Sequence, residues 1–533
     1  MTAGARATAF TTSAFTGLGL LVRLALRRDR VRLSVWVGAL TLMMAYAPAA
    51  MELAYPEEAQ RIARVGLMKA PAAIMLSGPM FGVRETDLGA MTANELMLTM
   101  IVATSILSIL TVVRHTRADE ERGAAELVLS SVVGRQARTF AALVLVAGVN
   151  AVLALTMTIA MAAAGFSVVD TAAMCLGITG VATVFGTVAA VAAQLWRQSR
   201  AATGAAMGVL AVAVLVRGIG DVIVHSGSAL SWFSPIAWAQ QMRPFVDLRW
   251  WPFALLVLLA AVLAAAAAVL ESHRQYDAGV LPATGDRPNA RPIKGVFGLH
   301  LVLQRGQLIG WGAGLFLAAL ATGSLARSML EIAVDNELVQ RMLGEQGTDG
   351  MYTALMQMLA AAATAYVVAA VVRVYSDEES GLGEPVLAGA VSRWRWLLSA
   401  VGAALVGAAV LMLLAGFGMG LGAGIALGEP RDIWRLTLAG AAFLPAMVVM
   451  AGVGAVAVAT KAPWIAWLAV AFVIVSLYLG PILQFPQWVI GASPIGRTSV
   501  PLDLSPAELG VMVVTGAVLA VAGAAGYRRR DAA

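Results

Sequence analysis

The chain is poor in charged residues, and this shortage decides its class. Only 13% of its 533 residues are charged, whereas 60% are hydrophobic and the mean hydropathy is +0.81. A soluble domain carries about a quarter charged residues, most of them on its surface. A chain this apolar cannot cover a globule of its length with polar groups, so we interpret it as a protein that crosses a membrane many times.

Three further scarcities exclude classes of function. The single cysteine, Cys175, excludes a disulfide framework and a cysteine-based metal site, and its apolar neighbours favour a packed thiol. None of the three lysines follows a glycine, so the lysine-bearing phosphate-binding loop of an ATPase is absent. No residues pair as nucleophile and base. We therefore expect no catalytic, cofactor-binding or metal-binding residues, and we attribute the pI of 9.8 to arginines that set topology rather than to nucleic-acid binding.

Hydropathy predicts twelve transmembrane helices, since each crossing needs roughly 20 apolar residues and the runs lack the alternation of barrel strands. The predicted spans are 31–53, 93–114, 138–165, 171–195, 201–222, 251–271, 307–330, 351–372, 397–424, 435–459, 462–481 and 507–527. A polar insert rich in proline separates the first six from the last six. The predicted fold class is therefore an all-α polytopic membrane protein made of two six-span halves.

The charges of the loops predict the orientation. With the N-terminus in the cytoplasm, the loops on that side are net positive and the opposite loops are net negative, as the positive-inside rule requires. Both termini and 272–306 are then cytoplasmic, whereas 54–92 and 331–350 are external. The predicted domains are a first half at 1–271, a cytoplasmic linker at 272–295 and a second half at 296–533. The terminal Arg528-Arg529-Arg530 is interpreted as a topology signal.

The two halves repeat one another. After the second span, an acidic loop reads Asp-Glu-Glu-Arg-Gly at 119–123, and Asp-Glu-Glu-Ser-Gly follows 258 residues later at 377–381. A fourth acid, a leucine and an arginine coincide at the same offset: Glu126 with Glu384, Leu129 with Leu387, and Arg135 with Arg393. Weaker echoes pair Ser234-Pro235-Ile236 with Ser493-Pro494-Ile495, and Arg274 with Arg528. Because each copy has an even number of spans, the copies are parallel, which implies a pseudo-two-fold axis along the membrane normal.

Each acidic loop is predicted to contain a short helix parallel to the membrane, within 119–135 and 377–393. Acids near its N-terminus and an arginine near its C-terminus suit the helix dipole, and Gly123 and Gly381 allow a tight turn. One interpretation is a solvated, self-capped surface helix. The other is a docking element for a cytosolic partner. Duplication favours docking, because a two-fold membrane unit suits a two-fold partner.

At these residues the chain resembles the type-2 ABC exporter permeases, in a fused twelve-span form similar to the actinobacterial tetronasin/polyketide-antibiotic exporter permeases. The family's coupling-helix pattern, an acidic pair, a glycine, Glu-x-Leu/Val-Leu and a Val-x-Arg ending, occurs here twice. The resemblance implies interfacial helices at 13–30 and 296–306 and outer re-entrant hairpins at 223–250 and 482–506. It implies docking on ATPase subunits through Glu120, Glu121, Gly123, Glu126, Leu127, Leu129, Arg135, Glu378, Glu379, Gly381, Glu384, Leu387 and Arg393. Pro385 departs from the pattern, so the second helix is expected to start later.

The resemblance implies the permease of an ATP-driven exporter in a bacterial plasma (inner) membrane. It would move hydrophobic compounds, either drug-like and antibiotic or lipid, out of the cell. Two copies of a cytosolic ABC ATPase would carry the ATP and Mg²⁺. The alternative is a secondary transporter or membrane-embedded enzyme not driven by ATP, which the scarcity of acids at the span centres disfavours. The family implies a substrate path near Met97, Met100, Thr104, Ser105 and Met207, for which ordinary packing is the competing interpretation.

A few polar residues in or near the spans have two interpretations each. Arg217 and Asp221 are four residues apart, which favours a local ion pair over an extracellular gate. Asn150 is expected to bond an adjacent helix rather than a substrate. Arg327 lies near a span end and is expected to extend to the membrane interface.

Overall fold

The computed structural model describes residues 13–58, 71–79, 87–123, 133–224, 226–274, 279–281, 295–327, 348–478, 487–499 and 506–530, together with single positions at 61, 62, 65, 68, 81 and 293. All regular elements in these ranges are helices. The chain forms two compact units, Met1–Pro288 and Asn289–Ala533. The division falls inside the predicted linker 272–295.

Unit 1, Met1–Pro288, contains eight helices of six residues or more in its described part. They are α1 Leu18–Ala54, α2 Pro71–Ser77, α3 Leu88–Val113, α4 Ala137–Ala163, α5 Val168–Leu195, α6 Ser199–Ile223, α7 Pro235–Gln240 and α8 Trp251–His273. The short α7 lies in the predicted hairpin 223–250 before the last long helix. Helix α3 begins at an N-cap, Asp87, whose side chain accepts from the amides of Gly89 and Ala90.

Unit 2, Asn289–Ala533, repeats this order in its described part. Its helices are α9 Gly295–Ser324, α10 Thr348–Glu379, α11 Glu384–Leu387, α12 Arg393–Leu427, α13 Arg431–Ala441, α14 Leu444–Ala459, α15 Pro463–Tyr478, α16 Gln487–Ala492 and α17 Pro506–Arg528. The Ser-Pro-Ile echo has one structural role in both units. Ser234 and Ser493 are fully buried. The hydroxyl oxygen of Ser234 accepts a hydrogen bond from the backbone amide of Ile236, and that of Ser493 accepts one from the backbone amide of Gly496.

Eleven helices in the described part of the chain are long and apolar enough to cross a membrane. The remaining predicted span, 462–481, corresponds to the 16-residue apolar helix α15, after which residues 479–486 lie outside the described residues. The chain is therefore an all-helical polytopic membrane protein with about twelve spans, as the hydropathy predicted.

Three boundaries differ from the predicted ones. Helix α1 begins at Leu18, inside the predicted interfacial segment 13–30, and continues for 37 residues through the first span. In the same way, α9 continues from the predicted interfacial segment 296–306 into the seventh span. The predicted span 435–459 is divided between α13 and α14 at Ala442 and Phe443. Pro445 lies in the first turn of α14, where proline removes no hydrogen bond of that helix, whereas Pro48 lies inside the continuous α1.

The core of unit 1 is built around α3 and α5. In the most apolar windows of these helices, 67% and 72% of residues are buried, against 11% for α8. Hydrophobic residues cover every side of all three helices, so burial rather than sequence periodicity distinguishes the central helices from those that face lipid. The thiol of Cys175 lies fully buried in this core, as predicted.

Helices α9 and α12 of unit 2 approach closely enough that only glycine fits between them. A Cβ built at Gly418 would lie 2.7 Å from the carbonyl oxygen of Phe316, and one at Gly422 would overlap the carbonyl oxygen of Leu320. Gly323 faces the backbone of Met419 in the same way. Small residues let membrane helices approach closely and gain dispersion contacts, which replace the hydrophobic effect as the driving force within lipid.

We predict that Gly422→Ala lowers the thermal stability of the chain in detergent, because the new methyl group forces the backbone of α9 away. Overpacking of this kind costs about 1–3 kcal/mol. The matched control is Gly314→Ala on α9, where a Cβ meets nothing within 4 Å. The control should retain or slightly raise the midpoint of thermal unfolding. Equal midpoints for the two variants would refute the close approach.

Candidate coupling site

The first acidic loop begins as a continuation of span two. Helix α3 passes through a π-helical turn, Arg114–Ala118, into a final helical turn, Asp119–Glu121. π-Helical turns inside α-helices occur frequently at functional sites. The acidic triplet is thus carried rigidly on the end of a buried span, and the chain turns away at Gly123, whose φ of 70° favours glycine.

Glu120 is the buried centre of an ion cluster. Its residue exposure is 5%, and its carboxylate accepts from Arg117 at 2.5 Å, from Arg274 at 2.6 Å and from Arg138. Arg117 lies in the π-helical turn after α3, Arg274 follows α8, and Arg138 lies at the start of α4. A buried carboxylate is tolerated when its charge is compensated and its oxygens are hydrogen-bonded. The cluster therefore joins three elements of unit 1 at one end of the unit.

Further hydrogen bonds extend this cluster to α5. Arg274 also donates to the side-chain oxygen of Gln194, and Arg117 donates to the carbonyl oxygen of Ala193 at 2.9 Å. Beside them, Thr139 on α4 donates at 2.8 Å to the buried carboxylate of Glu271 on α8. The ends of α3, α4, α5 and α8 are consequently held by one polar network.

Arg135, which follows the first acidic loop, contacts the end of α8. It was expected to stabilise the dipole of the coupling helix, whose residues 124–132 lie outside the described residues. In the structure it donates to the carbonyl oxygens of Glu271, at 3.1 Å, and Arg274, at 2.7 Å. The last carbonyls of a helix have no partner within the helix, and an arginine fork satisfies two of them. Arg135 therefore connects the end of the loop to the end of α8.

The other two acids of the triplet bind neighbouring helices. Asp119 pairs with Arg28 of α1 at 2.9 Å. Glu121 is exposed and accepts from the backbone amide of Ser199 at 2.6 Å, at the N-terminus of α6. An acid at this position compensates the unpaired amides of a helix start. Glu126, Leu127 and Leu129 lie within 124–132, outside the described residues.

The second acidic loop shows a related arrangement in unit 2. Glu378 pairs with Arg530 at 3.1 Å, and Arg530 also donates to the carbonyl oxygen of Val458 at 2.7 Å. Arg393 donates to the carbonyl oxygen of Arg530. The terminal arginine triplet was interpreted as a topology signal, and this interpretation is incomplete, because its third member binds both the acidic triplet and the arginine after the loop.

The segment between these two contacts turns at Gly381, with φ of 71°, and forms the short helix α11. Pro385 lies in the first turn of α11, so the helix starts at Glu384, after the acidic triplet, as the proline predicted. Glu384 is exposed, and Leu387 packs partly against the core of unit 2. Glu379 is exposed and accepts from the hydroxyl of Tyr375 at 2.7 Å.

Comparing the two units shows which arginines correspond. In both, the second acid of the triplet binds an arginine that follows the last long helix, and the carbonyl of that arginine accepts from the arginine after the loop. We call this arrangement the arginine clasp. It consists of Glu120, Arg274 and Arg135 in unit 1, and of Glu378, Arg530 and Arg393 in unit 2. The sequence echo pairs Arg274 with Arg528, whereas the counterpart of Arg274 by contact is Arg530, two positions later.

The residues suggested for a substrate path lie mostly inside the packed core of unit 1. Met97, Met100, Thr104 and Ser105 are all buried on α3, and Met207 is partly buried against the same core. The Thr104 hydroxyl donates to the carbonyl of Met100 at 2.7 Å, whereas no hydrogen-bond partner for the Ser105 hydroxyl is present in the described part of the chain. Their part in transport stays a prediction.

The remaining polar residues make helix-to-helix contacts. Asn150 donates to Ser108 and Thr183 on two neighbouring helices, at 3.2 and 3.0 Å, as expected. Arg327 is exposed and donates at 2.6 Å to the carbonyl of Ala426. No group of three potential metal ligands occurs among the residues that the structure describes.

Arg217 and Asp221 form more than the local pair that their spacing suggested. They lie 3.4 Å apart and are buried. Arg217 also donates to the carbonyl of Ile74 in α2 at 3.3 Å, and Asp221 accepts from Ser231 at 2.7 Å. The pair therefore connects α6 to two other segments, α2 and the turn at Ser231. These contacts lie at the end of unit 1 opposite the acidic loop.

We predict that Glu120→Gln strongly destabilises the chain, because it leaves three guanidinium groups around a neutral side chain in place of the carboxylate that they share. Removing one partner of a buried ion pair costs about 3–5 kcal/mol. The control is Glu121→Gln, which is exposed and keeps an acceptor oxygen for Ser199, and its cost should stay below about 1 kcal/mol. Thermal unfolding in detergent compares the two variants. Similar midpoints would show that Glu120 is not the centre of the cluster.

Comparison with known proteins agrees with this architecture. The family model "Multidrug efflux system permease Rv1217c, C-terminal domain" matches residues 293–528, which correspond to unit 2. Over 534 residues the chain is 34% identical to the multidrug efflux system permease protein Rv1217c of Mycobacterium tuberculosis (strain ATCC 25618 / H37Rv), and the match covers 97% of this chain and 96% of that protein. The similarity thus spans both units and both acidic loops. The chain belongs to the family of multidrug efflux system permeases.

Proposed function

We propose that the chain is the transmembrane subunit of an ATP-driven exporter of hydrophobic compounds, energised by separate ATPase subunits. The observation that carries this proposal is the duplicated acidic loop, which each unit holds by an arginine clasp. A loop needed only for solubility has no reason to be anchored at both ends by the same contacts in two diverged copies. The proposal places the chain among the type-2 ABC exporter permeases, in the fused form similar to tetronasin/polyketide-antibiotic exporters.

The energy source has to lie outside the chain under this proposal. A nucleotide-driven transporter requires a phosphate-binding loop whose lysine contacts the β- and γ-phosphates, and no lysine here follows a glycine. ATP and Mg²⁺ would therefore bind the partner subunits. Two docking loops in one chain favour two copies of a cytosolic ABC ATPase, one on each loop.

The exposed part of each loop has chemistry suited to docking. Glu384 is exposed at the start of α11, and Glu379 and Glu121 are exposed beside the clasps. Such carboxylates can accept charge-assisted hydrogen bonds from basic side chains or backbone amides of a partner. The buried Glu120 and the half-buried Glu378 would in turn hold the loop against the permease. Docking and anchoring are thus assigned to different acids of one motif.

The orientation and location of the chain follow from the same proposal. Loops that dock a cytosolic ATPase have to be cytoplasmic, which agrees with the positive-inside distribution of arginines and puts both termini in the cytoplasm. The membrane would be the bacterial plasma (inner) membrane. The relative is a multidrug efflux permease, which supports a hydrophobic drug-like cargo, while lipid stays a second cargo class.

The alternative of a proton-coupled secondary transporter finds less support. Such transporters use intramembrane acids that can exchange protons. Here the buried carboxylates of Asp29 and Glu120 lie 3.0 Å or less from an arginine, Asp221 lies 3.4 Å from one, and Glu271 accepts from the hydroxyl of Thr139. Each of these contacts occupies a carboxylate oxygen that a proton carrier would have to leave free.

We predict that the double change Glu126→Ala and Glu384→Ala abolishes ATP-dependent export while the permease still inserts and folds. Truncating one partner of a charged contact at an interface costs about 2–5 kcal/mol, enough to lose the ATPase or its coupling. Ethidium export by cells and copurification of the ATPase measure the two effects. The single change in the first loop should be the more damaging, because Pro385 shortens the second docking helix.

The control variant is Glu429→Ala, an exposed acid between α12 and α13, outside both loops. It should export ethidium at the rate of the unmodified chain. If the double variant also exports normally, the acids only cap a solvated helix, at a local cost of about 1 kcal/mol, and the docking role is refuted.

A further inference from the structure

One arginine in each unit contacts both ends of the segment that forms the acidic loop. In unit 1, the side chain of Arg274 binds Glu120, in the acidic triplet at the start of the loop, and its carbonyl oxygen accepts from Arg135, at the end of the loop. Residues 124–132 lie between these two contacts in the sequence. The same residue also ends the last long helix, α8. A single position thereby joins the loop to the last span.

Unit 2 has the same connection with a different set of neighbours. Arg530 follows α17, its side chain binds Glu378, and its carbonyl oxygen accepts from Arg393. The exposed helix α11, Glu384–Leu387, lies between the two contacts. The guanidinium also donates to Val458 at the end of α14, so it is fixed from a second direction.

Both units keep the contact between the second acid of the triplet and the arginine after the last span, although the residues around this contact differ between the units. Glu120 is shared among three arginines and its side chain is 1% exposed, whereas the side chain of Glu378 is 24% exposed. The common part is the arginine after the last span. A residue required only for positive charge on one side of a membrane would not need the same two partners in each copy.

We propose that Arg274 and Arg530 are the positioning residues of the two coupling loops, and that each makes its loop move together with the last span of its unit. This inference rests on the proposed function. When an ATPase shifts the loop, the clasp passes the displacement to α8 or α17. Each of these helices follows the Ser-Pro-Ile segment of its unit in the sequence and is long enough to cross the membrane, so the displacement would reach the opposite side along one helix.

The terminal arginine triplet provides a matched test. Arg528, Arg529 and Arg530 have the same charge and adjacent positions, but the side chains of the first two are exposed, whereas Arg530 binds Glu378 and Val458. We expect Arg530→Gln to lower ethidium export per ATP hydrolysed by about 2- to 30-fold, the range for residues that modulate coupling without contacting a ligand. Arg529→Gln should leave this ratio unchanged, and Arg530→Lys should restore most of it.

The complex of chain and ATPase is used throughout, and its assembly and thermal midpoint are measured for each variant. A merely structural role would lower the midpoint without changing export per ATP. Equal ratios for Arg530→Gln and Arg529→Gln, in a complex whose unmodified form exports ethidium with ATP, would overturn the positioning role alone. An unmodified chain that exports ethidium without ATPase subunits would overturn the proposed function, and with it this inference.

A distance measurement tests the same inference without relying on cargo. Spin labels at Ser380→Cys and Arg529→Cys would report the separation of the second loop from the end of α17, after the buried Cys175 is replaced. We expect one narrow distance distribution, equal in the nucleotide-free and nucleotide-trapped complexes. Adding Arg530→Gln should broaden it. A separation that changes between the two states while Arg530 is intact would show that loop and span move independently.

Discussion

The architecture depends on compensating negative charge at the ends of apolar helices. A carboxylate removed from water needs opposite charge and hydrogen bonds close by, and Glu120 obtains both from arginines on three separate elements. This requirement fixes how the ends of α3, α4 and α8 meet. It also determines where the acidic loop begins, because the buried carboxylate belongs to the acidic triplet at the start of the loop.

Much of the fold was predictable from the sequence, because apolar run length alone defines a membrane-spanning helix. The acidic repeat was also readable, since three acids and a glycine recur in order. The two arginine clasps could not be predicted from the sequence, because the residues that form them are distant along the chain. Arg274, for example, lies 154 residues from Glu120. An arginine near a span end satisfies the positive-inside rule whether or not it binds a specific acid. Composition therefore could not separate Arg530 from its two exposed neighbours.

The lack of information about distant contacts also explains why the acids of the repeat were assigned a single role. Their pattern resembles a docking helix, and all were expected at its surface. The structure divides them, with Glu120 buried and Glu121 and Glu384 exposed. One motif can thus anchor the loop with one acid and present others to a partner. The two units differ mainly in the acid that anchors the loop. In unit 1 three arginines surround Glu120, whereas in unit 2 Glu378 pairs with Arg530.

We propose that this permease works with two separate ATPase subunits, one on each acidic loop. The mass of the intact complex, purified by a tag on this chain from cells that also produce the ATPase, tests this composition. We expect the mass of one permease chain with two ATPase subunits. A mass that corresponds to the permease chain alone, or to the chain with a single ATPase subunit, would refute the proposal.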